Sequence, residues 1–263
     1  MGEVVAIIPA RLGSTRLPGK VLLDRTGWPL IRHVWEGARR AGSVKRVVIA
    51  TDDARVLETA RGFGAEVTLT RADHPNGTSR LAEAAGLLGL GADDVIVNVQ
   101  GDEPEVEPEA IDAAVGALLA GERWAGGCAI GTVATPFGDG EDPRDPNCVK
   151  VVLGEGGHGG GDGGARRALY FSRSPIPFDR DGKGGTDAAM LRHVGLYVYR
   201  RAFLEKYVRL PSTALERAEQ LEQLRALQHG YGIAAAVRPT ARMGIDTVGQ
   251  YEQFVVRWKD SRH

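Results

Sequence analysis

Cysteine is scarce in this sequence, and the cysteines that are present form no metal-binding or redox motif. Cys128 and Cys148 are the only two among 263 residues, and no C-x-x-C pair occurs. Zinc sites and disulfide frameworks need more cysteines at closer spacing. We therefore expect two reduced or buried thiols in a cytoplasmic protein.

Long apolar runs and an excess of charge of one sign are also missing. No apolar stretch is long enough to span a bilayer, and no signal-peptide pattern opens the sequence. The 33 Lys and Arg residues are balanced by 34 Asp and Glu residues, so the formal net charge is -1. We therefore expect neither nucleic acid as a partner nor insertion into a membrane.

The first twenty residues lack both common nucleotide-binding motifs, yet they contain a candidate phosphate-binding loop. There is no G-x-G-x-x-G, and five residues separate Gly13 from Gly19 where a Walker A loop has four. The loop nevertheless brings hydroxyls, glycines and three cations together directly after the strand pattern Val4–Pro9. This combination favours polyphosphate binding over a solvated basic turn. The cations are Arg11, Arg16 and Lys20.

Strand and helix patterns alternate through the first half, which predicts the α/β class with a mostly parallel central sheet covered by helices on both faces. Predicted strands cover 4–9, 46–50, 65–69 and 95–99, and predicted helices cover 30–38, 56–63, 78–90 and 108–119.

The second half predicts a smaller mixed β elaboration. Strand patterns lie at 149–153, 168–172 and 193–199, an apolar helical stripe runs over 215–227, and a closing helix covers 247–258. The glycine-rich segment 154–164 is not followed by a helix, so we interpret it as a flexible hairpin tip at the surface.

Two aspartates are candidate metal ligands. Asp102 follows the fourth predicted strand, at the edge where parallel sheets bind ligands. Mg²⁺ held by carboxylates and phosphate oxygens fits this position about as well as a turn or a helix cap does. Asp246 precedes the closing helix, and taken alone it is better explained as that helix's cap.

Three further groups of residues have structural interpretations that are at least as good as functional ones. In the loop 71–80, Thr78 or Ser79 fits a helix cap and Arg80 fits a base or ribose contact. His193 and Tyr197 share a strand face by period-two alternation, although a single strand histidine is more often a core residue. The pair Glu222-Gln223 lies beside the leucine stripe, where most such pairs are solvated.

Taken together, the motifs resemble one family. The strings IPAR and STRLPGK near the start, TRADH with GT, and NVQGDEP resemble sugar-activating cytidylyltransferases. The strings ALYFSR with IP, RHVG and LEQLR narrow the resemblance to the CMP-Kdo synthetases, the 3-deoxy-manno-octulosonate (Kdo) cytidylyltransferases. The resemblance covers nearly the whole chain, and it departs at the long glycine-rich segment and after Asp246.

The resemblance implies a Rossmann-like nucleotide-diphospho-sugar transferase fold and transfer of CMP from CTP to the anomeric hydroxyl of Kdo, with Mg²⁺, for lipopolysaccharide biosynthesis. It implies catalytic roles for Lys20, Arg11, Arg16 and Asp102, and Mg²⁺ ligation by Asp102 and Asp246. Nucleotide contacts would come from Ala10, Arg11, Ser14, Lys20, Thr78, Arg80 and Gln100. The sugar pocket would be lined by Arg173, His193, Tyr197, Glu222 and Gln223.

The resemblance also implies a single domain over residues 1–263 that forms a homodimer. Its nucleotide-binding part would cover about 1–135, its sugar-binding and dimerisation part about 136–240, and its closing helix about 247–260. Two alternatives stay open. One is a cytidylyltransferase for 8-amino-Kdo or sialic acid, and the other is an inactive nucleotide-binding regulator on the same fold.

Overall fold

The computed structural model describes residues 2–13, 17–138, 140–156, 164–180, 190–240 and 244–261. The chain divides into two compact units, the first made of Met1–Ile111 and Arg242–His263 and the second of Asp112–Ala241. The C-terminal segment therefore belongs to the same unit as the N-terminal part of the chain.

Nine strands and eight α-helices make up the two units within the described part of the chain. The strands are β1 (Val4–Ala10), β2 (Arg46–Thr51), β3 (Glu66–Leu69), β4 (Val95–Asn98), β5 (Ile130–Pro136), β6 (Lys150–Gly156), β7 (Ala165–Ser172), β8 (Leu191–Arg200) and β9 (Ile233–Val237). The helices are α1 (Leu30–Ala38), α2 (Ala54–Gly62), α3 (Gly77–Leu87), α4 (Pro108–Gly121), α5 (Arg201–Tyr207), α6 (Ala214–Glu219), α7 (Gln223–Gln228) and α8 (Val248–Asp260).

In the first unit, four strands pair in parallel in the order β3-β2-β1-β4. All four residues of β4 are buried, as are six of the seven in β1, which explains why β1 and the first three residues of β4 are continuous apolar runs rather than alternating ones. The α/β class is confirmed, and each element predicted before residue 120 is present within a few residues of its expected bounds.

In the second unit, five strands pair in the order β8-β5-β9-β7-β6, and β6 also pairs with β8. Among the described strands of this unit, β5 and β9 run parallel to each other, while the other pairs are antiparallel. The predicted mixed character of this half is confirmed. β6 and β7 form the antiparallel hairpin expected around the glycine-rich segment, whose residues 157–163 lie outside the described residues.

The apolar stripe over 215–227 does not lie on one helix, so that prediction is wrong. The chain forms α6 and α7 instead, and Gln220 between them has a φ of +52° in the left-handed region. A capping box between Thr213 and Glu216 starts α6, and Glu216 also pairs with Arg225 of α7. These local interactions fix two short helices where the apolar spacing alone indicated a single one.

A hydrophobic cluster in the first unit anchors α8 beside the loop that follows β1. Leu17 and Leu30 pack with Ile245, Tyr251 and Phe254, all of them at most 8% exposed. Asp246, which follows Ile245, is therefore held against this cluster. No helix in the described part of the chain is long and apolar enough to cross a membrane.

Candidate active site

A polar cavity of about 430 Å³ lies in the first unit, at the ends of β1 and β4. Its described lining comes from the loop after β1, the loop before α3, the turn after β4 and the segment before α8. Parallel sheets bind ligands beyond the carboxyl ends of their strands, so this is the position where the sequence predicts a ligand. The lining residues are Pro9, Ala10, Arg11, Gly13, Lys20, Val21, His74, Asn76, Gly77, Arg80, Gln100, Gly101, Asp102 and Asp246.

Two glycines allow the backbone to bring the cavity's polar side chains together. Gly19 has a φ of +68° and donates its N–H to the carbonyl of Leu12 at 3.1 Å, which closes the loop immediately before Lys20. Gly101 lies so close to β1 that a Cβ there would be 2.7 Å from the carbonyl oxygen of Pro9. Only glycine allows each of these conformations without strain or displacement.

The ammonium of Lys20 is surrounded by three oxygens. Its Nζ donates to Oδ2 of Asp102 at 2.5 Å, to Oδ1 of Asp246 at 2.9 Å and to the carbonyl of Ile245 at 3.0 Å. The Lys20 side chain is 11% exposed, while those of Asp102 and Asp246 are 28% and 33% exposed. All three donors of the ammonium are thus used, and the two carboxylates keep faces that are open to solvent.

The electrostatics of this cluster keep Lys20 charged. Burial alone lowers the pKa of Lys20, but the charges and hydrogen bonds of Asp102 and Asp246 outweigh burial and raise the pKa above its usual 10.5. Two carboxylates so close together repel each other unless a cation lies between them, and here the ammonium is that cation.

Asp246 is not the cap of the closing helix. Thr247 is the N-cap of α8, where its side chain accepts from the N–H of Gln250 and Gln250 completes a capping box. The carboxylate of Asp246 is directed to Lys20 instead. The backbone N–H of Ile245 donates to the carbonyl of Asp102 at 2.8 Å, which brings the two aspartates together from positions 144 residues apart in the sequence.

The other residues expected near the nucleotide are only partly brought to the cavity. Arg11 is exposed at its rim, and Ala10 and Gln100 line it. Thr78 is buried and is not among the described residues of the lining. Ser14 and Arg16 lie outside the described residues.

Arg80 has structural partners within the first unit. Its Nη1 donates to Oγ1 of Thr70 at 2.5 Å, and its Nη2 lies 3.3 Å from Oδ2 of Asp52, so the buried guanidinium links the ends of β2 and β3. The cap of α3 is Asn76, whose side chain accepts from the N–H of Ser79. The prediction that Thr78 or Ser79 provides that cap is therefore wrong.

His74 also lines the cavity, although the sequence did not single it out. Its Nδ1 lies 3.1 Å from Oγ of Ser79, and its Nε2 contacts Oε2 of Glu83. These contacts tie the loop before α3 to the helix itself. The histidine three residues ahead of the Gly-Thr-Ser run is the sequence signal by which it could have been found.

In the second unit, three of the expected sugar-binding residues lie together. The rings of His193 and Tyr197 are 5.3 Å apart on β8, and the hydroxyl of Tyr197 donates to Oε1 of Gln223 at 3.0 Å. The Gln223 side chain is 3% exposed, and its Nε2 has no hydrogen-bond partner among the described residues. A buried amide donor without a partner is costly, so this donor is available to a further partner.

His193 is a neutral histidine in this arrangement. Burial lowers its pKa from 6.5 to about 3, and the nearby charge of Arg192 acts in the same direction. The hydroxyl of Thr132 donates to the carbonyl of Leu196 at 2.7 Å and lies 3.0 Å from Nε2 of His193. We therefore assign the ring proton to Nε2, which leaves Nδ1 as an acceptor.

Arg173 is engaged by backbone rather than directed into an open pocket. Its three guanidinium nitrogens donate to the carbonyls of Glu219, Pro146 and Gln220 at 2.7 to 3.2 Å. Its own carbonyl accepts from the fully buried Lys150 at 2.5 Å. The expected bidentate contact of Arg173 with a sugar carboxylate is thus not preformed. Glu222 stands at the start of α7, and its carbonyl accepts from the hydroxyl of Tyr207.

Known proteins resemble this chain over nearly its whole length. A profile of a family described as cytidylyltransferase matches residues 5–234. The protein of Syntrophobacter fumaroxidans named 3-deoxy-manno-octulosonate cytidylyltransferase is 50% identical over 254 residues, which is 96% of each chain. The protein of Geobacter sulfurreducens with the same name is 44% identical over 98% of this chain and 100% of its own.

Solved structures agree with the sequence comparison. CMP:2-keto-3-deoxy-manno-octonic acid synthetase in complex with CTP superposes with a TM-score of 0.85 at 38% identity, over 98% of this chain and 99% of the other. A cytidylyltransferase of Leptospira borgpetersenii, at 17% identity and a TM-score of 0.58, shares the fold. With the profile match over most of its length and relatives this similar over nearly all of it, the chain belongs to the cytidylyltransferase family.

Proposed function

We propose that this protein transfers CMP from CTP to the anomeric hydroxyl of Kdo, giving CMP-Kdo and pyrophosphate. The observation that carries the proposal is the polar cavity at the ends of β1 and β4, where a cationic side chain lies between two carboxylates. The names of the full-length relatives and the CTP complex of the similar structure support the choice of substrates.

In this proposal the residues of the cavity hold the triphosphate in line for attack. Lys20, Arg11 and Arg16 neutralise its charge and that of the departing pyrophosphate, and Ser14 adds a hydroxyl donor. Positioning and charge neutralisation are sufficient for a phosphoryl-type transfer, in which the protein forms no covalent bond. Ala10, Gln100, Thr78 and Arg80 are proposed to contact the nucleotide, and the contact of Arg80 with Asp52 would hold its guanidinium in position.

The donor set around Lys20 fits Mg²⁺. Two carboxylates and one carbonyl converge on a position that a cation already occupies, and Mg²⁺ prefers oxygen ligands. We propose that Asp102 and Asp246 hold the ion. When bound, it would neutralise phosphate charge and lower the pKa of the attacking hydroxyl.

The sugar would be bound by residues of the second unit. Nε2 of Gln223 offers a donor, Tyr197 orients that amide, and the neutral His193 offers an acceptor rather than a charge. Glu222 is proposed as an acceptor for sugar hydroxyls. Arg173 would have to exchange at least part of its carbonyl contacts to meet the carboxylate of the sugar.

The proposal extends to the domain organisation, the cellular location and the oligomeric state. We infer a single catalytic domain whose central sheet has helices on both faces, a cytoplasmic location and a role of the product in lipopolysaccharide biosynthesis. We also infer a homodimer formed through the second half. Phe178 and Leu169 of that half are 85% and 57% exposed, which supports an apolar surface there.

The proposal is tested by pyrophosphate release from CTP with Mg²⁺ and each of three acidic sugars. We expect turnover with Kdo to exceed that with 8-amino-Kdo and sialic acid, and an Asp102→Asn variant to be inactive. Faster turnover with sialic acid would identify sialic acid as the acceptor sugar and would leave the proposed use of CTP unchanged. No release with any of the three sugars would favour the inactive regulator.

A further inference from the structure

The contacts of Lys20 point to a second role for this side chain, beyond phosphate binding. Its ammonium has no remaining donor, since its three N–H groups meet Asp102, Asp246 and the carbonyl of Ile245. In this arrangement Lys20 cannot donate to a phosphate, and the two aspartates cannot both turn the same oxygens to a metal ion. The ion pairs between Lys20 and the two aspartates therefore have to break before Lys20 can bind a phosphate or the aspartates can bind a metal ion.

We propose that Lys20 is a built-in counter-ion that occupies the cation position of the free protein and is displaced from it by a divalent ion, with the carbonyl of Ile245 as a third oxygen ligand. The inference rests on the proposed function for the choice of Mg²⁺ as the ion and of a triphosphate as the anion. The displaced ammonium is then free to donate to an anion in the cavity, which Lys20 and Asp102 both line.

The Ile245 carbonyl is held in place independently of Lys20. The side chain of Ile245 is 2% exposed within the cluster of Leu17, Leu30 and Phe254, and its N–H is bonded to the carbonyl of Asp102. Removal of the ammonium therefore leaves this carbonyl oxygen directed at the position that the carboxylates of Asp102 and Asp246 also face. This set offers a divalent ion more than the two carboxylates alone, because carbonyl oxygens are good ligands for hard cations.

The exchange links metal binding to phosphate binding. A metal ion alone has to displace Lys20 without giving its ammonium a new partner, and a triphosphate alone has to recruit Lys20 away from two carboxylates. When both are present, the ammonium moves to the phosphates and the carboxylates move to the metal, so each ligand favours the other. The free protein is thereby kept in an ion-paired state that binds either ligand weakly.

The test is Mg²⁺ binding to the protein without nucleotide, measured by isothermal titration calorimetry. Lys20→Met removes the competing ammonium and keeps a side chain of similar length. We expect its affinity for Mg²⁺ to exceed that of the wild type at least about tenfold, or 1.4 kcal/mol. The matched control is Lys45→Met, the same substitution at an exposed position of the same unit, which should bind as the wild type does.

Equal or weaker Mg²⁺ binding by Lys20→Met than by Lys45→Met would overturn the proposal. If Lys20→Met does not fold, Lys20→Gln gives the same test, since it keeps an N–H donor for these oxygens while removing the charge. The result is independent of catalysis. A protein that released no pyrophosphate with any sugar would still show the displacement, and an active enzyme could still fail to show it.

Discussion

Asp246 and Thr247 are neighbours with different contacts, and replacing each in turn tests the proposed metal binding by Asp246 separately from the helix cap of Thr247. Thr247 starts α8 through a capping box, whereas the carboxylate of Asp246 contacts the ammonium of Lys20 at 2.9 Å. Asp246→Asn keeps the size of the side chain and removes its charge. Thr247→Ala keeps the charge and removes the cap.

We expect Thr247→Ala to change the stability of the protein and Asp246→Asn to change its Mg²⁺ dependence. Loss of an N-cap costs about 1 kcal/mol, which for a chain of this size lowers the Tm by about 2–4 °C. Thr247→Ala should therefore be less stable and fully active. Asp246→Asn loses one partner of a partly exposed ion pair while Lys20 keeps Asp102, so its stability should change by less than about 1 kcal/mol. Loss of a metal ligand should raise the Mg²⁺ concentration for half-maximal rate at least about tenfold.

The assay is pyrophosphate release over a Mg²⁺ titration, combined with a thermal melt of each variant. We expect the Mg²⁺ curve to move in Asp246→Asn alone and the melting temperature to fall mainly in Thr247→Ala. An Asp246→Asn variant with a lowered Tm and an unchanged Mg²⁺ curve would refute the assignment of Asp246 to the metal.

Three further predictions concern other parts of the chain. Lys20→Ala should lower turnover about a hundredfold, as loss of one preorganised charge does, and near-normal pyrophosphate release by the folded variant would contradict the phosphate role. Burial lowers the pKa of His193 from 6.5 to about 3, so the stability that the neutral ring contributes at pH 7 should fall by about 2 kcal/mol by pH 5, where the unfolded chain binds the proton. Chemical denaturation should show a flatter pH dependence in His193→Gln, and an unchanged slope would contradict the buried neutral ring. Replacing Gly156–Gly164 with a tight turn should leave turnover unchanged, and a large loss of activity would assign that segment to the site.

Local sequence signals predicted the first unit well. Apolar runs such as those of β1 and β4 are typical of parallel strands that are buried on both faces. The polar residues that follow such strands lie at one edge of the sheet, where their carboxyl ends meet. The position of Lys20 near Asp102 could thus be expected. The approach of Asp246 could not, because it depends on the packing of Ile245 and α8 against Leu17 and Leu30.

The second unit was harder to predict because its signals are weak or conflicting. β9 reads Ile-Ala-Ala-Ala-Val, and alanine favours helices over strands. Its small side chains are needed because α4 packs closely there, where a Cβ on Gly121 would lie 2.7 Å from that of Ala234. The break at Gln220 and the carbonyl contacts of Arg173 likewise arise from tertiary structure rather than from local spacing.

The most direct test of the proposed activity is phosphorus NMR of a mixture of the protein, CTP, Kdo and Mg²⁺. We expect the three CTP signals to be replaced by those of pyrophosphate and of one new phosphodiester, in equal molar amounts, and Asp102→Asn to leave the spectrum unchanged. Release of inorganic phosphate instead of pyrophosphate, or an unchanged CTP spectrum with the wild-type protein, would contradict transfer of CMP to the sugar.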